Sequence, residues 1–313
     1  MKQVLFIITG PTGVGKTHVA LDLGNRMPIE IINADSGQFY EPLTIGTAKP
    51  DWRSLAIPHH GFDMLTTPEQ YTVVGYRAYV DRLCKQIWAA GKVPVLVGGS
   101  LFYIQSLFFP PRAPSDVIPV PDNLQADASW DALYGIDPVR AQAIHPHDTY
   151  RIARALAVWQ STACKPSSLS LSYEPLCDAH IIFLTREKES LYERINDRVL
   201  QMFDQGFIDE VAALQNTPWE PFLYQKKFIG YNDILTWLHD TSCMDRQQLI
   251  ALIQKKTRHY AKRQHTFWRM LCKRLSEAQD VRYSVTTRTV DLTRTDYDLY
   301  INDLLHQLSS LYI

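Results

Sequence analysis

The residues most able to do chemistry begin at position 10. Gly10-Pro11-Thr12-Gly13-Val14-Gly15-Lys16-Thr17 has the spacing GxxxxGK[ST] and lies between an apolar run and a helical pattern. Glycines at those places let backbone N–H groups turn toward an anion, and the N-terminus of the following helix adds partial positive charge. Lys16 would neutralise phosphate oxygens, and the Thr17 hydroxyl suits Mg²⁺. A chance glycine-rich turn would show the same letters, but a strand before and a helix after make a pyrophosphate-bearing ligand the expected occupant. Most such loops hold ATP or GTP, so ATP binding is the first guess. Proteins of that kind commonly hold Mg²⁺ with an acid that ends another strand. Here Val93–Val97 runs into Gly98-Gly99-Ser100 without a carboxylate, which weakens the ATPase reading.

A second chemical group follows the next apolar run. Ile31-Ile32-Asn33-Ala34 leads to Asp35, expected on the same sheet edge as the phosphate loop. A carboxylate there can take a proton from a substrate or help hold Mg²⁺ through water; the plain alternative is an aspartate capping a turn. Gln38 carries both a donor and an acceptor, which suits a base edge.

The elements that must position these groups read as an α/β fold. Val4–Thr9, Ile29–Ala34, Val93–Val97 and His180–Thr185 are apolar without alternation, as in buried parallel strands. Helical patterns over Lys16–Arg26, Val74–Ala90 and Glu187–Leu214 separate them. That alternation predicts a mostly parallel sheet flanked by helices, like that of P-loop NTPases, with ligands at the carboxyl ends of the strands. After Phe109 a proline-rich stretch leads into helical segments at Ala126–Tyr134, Pro138–Ile144 and His147–Gln160. The expected organisation is a catalytic core in two parts, residues 1–111 and 176–313, carrying a helical insertion over 112–175. Past Glu187 the chain reads as helical up to Ala278, then as a hairpin (Val281–Val285, Thr289–Leu292) and a last helix.

Composition sets broad limits. The 313 residues are 46% apolar and 21% charged with net charge −1, an ordinary globular balance without a global basic coat. The five cysteines never form a CxxC pair, which speaks against a zinc site or disulfide framework and for a reducing compartment. The short apolar run before the phosphate loop reads as a first strand, not a signal peptide, and no run is long enough to span a bilayer. A cytoplasmic monomer that touches no membrane is the expectation. His59 and His60 form no metal-ligand set, so structural hydrogen bonding is expected of them. Phe39, Tyr40 and Tyr103 are the aromatics close enough to the strand ends to receive a base, although such positions are commonly core.

Positive charge is concentrated in one place. Residues 255–274 hold eight Lys or Arg and no Asp or Glu. Lys255, Arg258, Lys262, Arg269 and Lys273 fall on one side of a helix; Ile253, Tyr260, Phe267 and Leu271 fall on another and are expected to pack on the core. A stripe of this kind, which includes Arg263 beside Lys262, fits a phosphate track for RNA. A merely solvated helix face would mix both signs.

Several blocks in order carry a resemblance. GPTGVGKT (10–17), NADSGQFYEPLTIGTAKP (33–50), HH (59–60), VGGSLFY (97–103), HPHDTYRIARAL (145–156), KKFIGYNDI (226–234) and TRHYAKRQHTFWR (257–269) together are similar to the tRNA dimethylallyltransferase (tRNA isopentenyltransferase) family, nearly to residue 270. The resemblance implies transfer of a dimethylallyl group from dimethylallyl diphosphate, with Mg²⁺, to the exocyclic N6 amine of the adenosine 3′ of the anticodon in tRNAs reading U-initial codons. The phosphate loop would then hold an isoprenoid diphosphate, with Lys16 and Thr17 serving catalysis. Carried over position by position, Asp35 is the general base, and it lies with Ser36, Gly37 and Gln38 among the tRNA-contacting residues. Ser100, Tyr150, Arg151 and Arg154 are further RNA-contacting positions, as are Lys227, Gly230, Tyr231 and Asn232. The insertion would contact the anticodon stem-loop. Lys227 and Asn232 stand where the family carries arginine, and the insertion is shorter than usual. A P-loop nucleotide kinase, a free-adenylate isopentenyltransferase and a non-catalytic RNA-binding protein are the competing readings.

Overall fold

Apolar runs without polar alternation become the strands of one parallel sheet. The computed structural model describes residues 3–110, 129–169, 172–278 and 282–312. The strands are β1 (Val4–Thr9), β2 (Ile29–Asn33), β3 (His59–His60), β4 (Val93–Val97), β5 (Asp178–Thr185) and β6 (Val285–Asp291). Their order across the sheet is β3-β2-β4-β1-β5-β6, and every pairing is parallel. Successive residues of β1 point to opposite faces and both faces are covered: Leu5 and Ile7 join a cluster with Tyr76, Phe183 and Trp268, while Phe6 and Ile8 join one with Val19, Leu23 and Leu304. Each such side chain, fully withdrawn from water, contributes roughly 1.5–3 kcal/mol.

The covering helices follow from the sequence pattern, with capping residues setting their ends. Helices α1 (Lys16–Gly24), α2 (Val73–Ala89) and α3 (Leu101–Ser106) each follow a strand or its loop. In the middle of the chain come α4 (Trp130–Ile136), α5 (Pro138–Gln142) and α6 (Thr149–Thr162), which share a small core of their own around Leu133, Ala141 and Ile152. Beyond β5 lie α7 (Lys188–Asp204), α8 (Phe207–Ala212), α9 (Trp219–Lys226), α10 (Tyr231–His239), α11 (Arg246–Glu277) and α12 (Tyr297–Tyr312). The long α11 begins with a capping box in which Asp245 accepts from the Gln248 N–H at 2.8 Å and the Gln248 side chain accepts from the Asp245 N–H at 2.9 Å. At 32 residues it is about 48 Å long.

Several expected elements take a different form. The hairpin at Val281–Val285 and Thr289–Leu292 does not occur; residues 285–291 form one strand that pairs with β5 in parallel, and Val281 lies outside the described residues. Between Val285 and Thr289 stand Thr, Thr and Arg, which carry no turn signal, so the chain stays extended. The single helix expected over Glu187–Leu214 is broken after Asp204, where Gly206 takes φ 96°. The proline-rich stretch from 111 and the start of the Ala126–Tyr134 segment lie outside the described residues. No helix among the described residues is long and apolar enough to cross a membrane, and all five cysteines carry free thiols.

Candidate active site

Adjacent parallel strands end level with one another, and that brings three loops together. Val97 of β4 pairs with Ile8 on one side and Asn33 on the other. The Ala34 N–H then donates to the Val97 carbonyl at 2.8 Å, and the Ser100 N–H donates to the Ala34 carbonyl at 3.0 Å. Hence the phosphate loop, Asp35 and Gly99-Ser100 emerge side by side at the carboxyl edge. At Gly10 the backbone has φ 147°, and a Cβ there would lie 2.4 Å from the Leu184 carbonyl oxygen of β5, so only glycine lets the loop leave the sheet this way.

The loop is wrapped in positive charge. Lys16 Nζ folds back over it and donates to the carbonyls of Gly10 (3.1 Å) and Pro11 (3.2 Å). Burial pushes the Lys16 pKa down; Asp35 opposes this and Arg198 adds to it. A phosphate group in the loop would supply the countercharge that burial removes. Arg194 Nε donates to the Gly13 carbonyl at 2.9 Å and Arg186 Nε to the Val14 carbonyl at 3.0 Å, two guanidinium groups braced against the loop. One turn on from Arg194 along α7, Arg198 has Asp35 as its opposite charge.

Across from the loop stands Asp35. The Asn33 side chain holds this corner, accepting from the Asp35 N–H at 2.9 Å and donating to the Gly61 carbonyl at 2.9 Å. Asp35 Oδ1 accepts from the Gly99 N–H at 2.6 Å, and the side chain makes no hydrogen bond to the short helical turn that follows it. The carboxylate therefore does not cap its own turn but is aimed across the gap to β4. Beside it the Ser36 N–H donates to Ser100 Oγ at 3.0 Å.

These groups share one cavity of about 700 Å³, within the roughly 300–1,000 Å³ of ligand sites. Lys16, Thr17 and Asp35 all line it; Arg194 and Arg198 come from α7, and Tyr260 and Gln264 from α11. Among the described residues no group of three or more His, Cys, Asp or Glu could hold a metal ion. The Thr17 hydroxyl and the Asp35 carboxylate are oxygen donors that suit a hard cation carried chiefly by phosphate oxygens and water, as Mg²⁺ commonly is.

The other expected RNA-contacting residues lie in several places. Ser36, Gly37, Gln38, Ser100, Lys227 and Arg263 line the cavity. Gln38 has used its donor, with Nε2 bonded to the Thr47 and Ala48 carbonyls at 3.0 and 3.3 Å, so only its acceptor is free to meet a base. Tyr231 also borders the cavity, but it is 1% exposed and donates its hydroxyl to Glu210 at 2.6 Å, so its side chain is engaged in holding structure. Gly230 turns the chain into α10 at φ 86°, and Asn232 donates to the Tyr224 carbonyl at 3.4 Å. Tyr150 and Arg151 stand exposed on α6 away from the cavity lining, and Arg154 lies half-buried on the same helix. On α11, Lys255, Lys262, Arg263, Arg269 and Lys273 are exposed. Arg258 faces inward instead, donating to Asn196 at 2.6 Å, and so drops out of the exposed stripe.

Two further points correct or sharpen the sequence reading. Tyr260, expected to pack on the core, faces the cavity, where burial raises the pKa of its hydroxyl. Phe39 and Tyr40 are core residues, Tyr103 packs partly buried against that core with its hydroxyl donating to the Tyr71 carbonyl at 2.6 Å, and none of the three lines the cavity. His59 and His60 bond the Ile57 carbonyl and Glu30, as structural histidines. Sequence reasoning missed Arg194, Arg198, Gln264 and Glu210. The only available signal for the two arginines was their i, i+4 spacing inside an α7 pattern whose apolar face is Leu191, Ile195 and Val199.

Comparison with known proteins gives matches over most of the chain. A family model described as IPP transferase matches residues 38–271. A tRNA dimethylallyltransferase of Geobacter sulfurreducens is 36% identical, with 86% of this chain and 89% of the relative covered. One from Thermotoga petrophila is 34% identical over 91% of this chain and 93% of its own length. The crystal structure of a full-length tRNA isopentenylpyrophosphate transferase from Bacillus halodurans superposes with TM-score 0.65 at 28% identity, covering 99% of this chain and 97% of that one. A eukaryotic dimethylallyltransferase captured acting on tRNA gives TM-score 0.74 at 25% identity over 99% and 80%.

Proposed function

Because the chain belongs to the IPP transferase family, we propose that it transfers a dimethylallyl group from dimethylallyl diphosphate to the N6 amine of a tRNA adenosine, releasing diphosphate. The target in this reading is the adenosine 3′ of the anticodon in tRNAs reading U-initial codons. The observation that carries it is the meeting of a cationic phosphate loop and the Asp35 carboxylate in one cavity. A nucleotide kinase would share the loop, but no acid ends β4 beside it.

The chemistry asks little more of the chain. The adenine amine is a weak nucleophile because its lone pair is delocalised into the ring. As its nitrogen bonds to the allylic carbon, Asp35 takes the proton, a service commonly worth about 10²–10⁴-fold. The carbon–oxygen bond to diphosphate breaks in the same event, and Lys16, Arg198 and the loop amides meet the charge left on oxygen. Mg²⁺ held at Thr17 and the diphosphate oxygens would supply further neutralisation of that charge. The adenine leaves its stack to reach Asp35. The exposed cations of α11 follow the RNA backbone, and the insertion over 112–175, with Tyr150, Arg151 and Arg154 on α6, grips the anticodon stem-loop. The setting is the cytoplasm.

The test is to incubate the protein with Mg²⁺, dimethylallyl diphosphate and unmodified tRNA and to weigh the RNA. The expected outcome is the addition of one prenyl group, mapped to the adenosine beside the anticodon. Unchanged tRNA together with prenylated AMP or ATP would favour a free-adenylate enzyme, and ADP release from ATP a kinase.

A further inference from the structure

We propose that Gln264 is a positioning residue whose buried carboxamide sets the separation between the phosphate loop and the base. This rests on the assignment of Asp35 as that base. Helix α11 carries Gln264, 4% exposed, over the edge where the strands end. Its Oε1 accepts from the Thr12 N–H of the loop at 3.0 Å, and its Nε2 donates to the Gly99 carbonyl at 2.9 Å. The N–H of the same Gly99 donates to Asp35 Oδ1 at 2.6 Å. Loop, carboxamide, Gly99 and carboxylate thus form one continuous chain between residues far apart in sequence.

The partners dictate the side chain. An N–H needs an acceptor and a carbonyl needs a donor, so the site calls for both functions on one planar group. Glutamate would lack the donor and lysine the acceptor. The space is kept open as well: a Cβ at position 99 would lie 2.3 Å from Gln264 Nε2 and 3.1 Å from the Gly10 carbonyl oxygen. One turn earlier on the same helix, Tyr260 lines the same cavity, so α11 serves the site as well as the surface.

The consequence concerns distance. In this reading the loop anchors the diphosphate end of the donor and Asp35 anchors the amine, and reaction needs nitrogen and carbon about 3–3.5 Å apart. The carboxamide spends both its polar ends on the protein, so it acts by fixing the two anchors. Misplacement by an ångström costs about 10²-fold in rate.

The experiment compares wild type with Gln264→Met, which keeps the volume and loses both bonds, and Gln264→Glu, which keeps the acceptor. Steady-state prenylation gives kcat and both KM values; amide exchange is followed in a peptide spanning Gly10–Thr17. Gln264→Met should lose about 10²-fold in kcat with KM for either substrate little changed, and the loop peptide should exchange faster. Gln264→Glu should also lose kcat but hold loop exchange closer to wild type. A Met variant with wild-type loop exchange, or with loss confined to KM, overturns the proposal. Asp35→Asn runs alongside: undiminished turnover there would sink the base assignment, while the exchange result judges the Gln264 tie independently.

Discussion

Asp35 shows how much a single side chain's surroundings decide. Its chemical type and its place after a strand were readable, as was the alternative that it caps a turn. The Gly99 N–H at 2.6 Å and the absence of a capping bond settle the direction in which the carboxylate points. If that carboxylate takes the amine proton, Asp35→Ala should lower single-turnover prenylation by about 10²–10⁴-fold while tRNA affinity, measured by filter binding, stays nearly unchanged. Near-normal turnover in the mutant at saturating substrates would remove the base. Gln264 makes the contrasting case: a glutamine inside a basic helical stretch carries no sequence signal for the bonds it forms with residues 252 and 165 positions away.

Between elements, the loop at residues 44–46 depends on a helix far along the chain. Glu210 on α8 accepts from the N–H groups of Thr44 (3.1 Å), Ile45 (2.6 Å) and Gly46 (3.2 Å) and from the Tyr231 hydroxyl (2.6 Å). One carboxylate therefore joins that loop, α8 and the start of α10 into the wall that carries Gly46, Thr47 and Phe228 around the cavity. Glu210→Ala would strip three backbone donors and a buried hydroxyl of their acceptor. Thermal or urea unfolding should register a loss of about 2–4 kcal/mol, since bonds to a charged group contribute about 1.5–3 kcal/mol each and water replaces some of them. A raised KM with little change in kcat is expected where folding survives; full stability in the mutant would deny the carboxylate this role. Tyr231 belongs here too, expected at the RNA and found holding this wall.

For the whole molecule, a net charge of −1 conceals a strongly uneven distribution. Lys255, Lys262, Arg263, Arg269 and Lys273 are exposed on one long helix that also sends Gln264 and Tyr260 inward to the cavity. Such a helix can hold an RNA backbone outside while it shapes the site within. Reversing Lys262 and Arg263 to glutamate should weaken tRNA binding and flatten its dependence on salt. With each lost phosphate contact removing about 0.7–0.9 from the slope of log K against log salt, two contacts correspond to a change of about 1.4–1.8. A slope that does not move would place the RNA elsewhere.

By itself the sequence determined the phosphate loop, the four central strands and the placement of Asp35 at their edge, because spacing and apolar periodicity are local properties that survive any arrangement of the rest. Tertiary structure alone decided which distant groups meet there. Arg194 and Arg198 reach the loop because α7 follows β5 beside β1, and Gln264 reaches it because α11 crosses the strand ends. It also decided that residues 285–291 extend the sheet in parallel, since edge pairing is chosen by the neighbouring strand's free backbone groups and not by the segment's own letters. Local patterns carry no record of such long-range contacts, and the part of the site that depends on them became legible only in three dimensions.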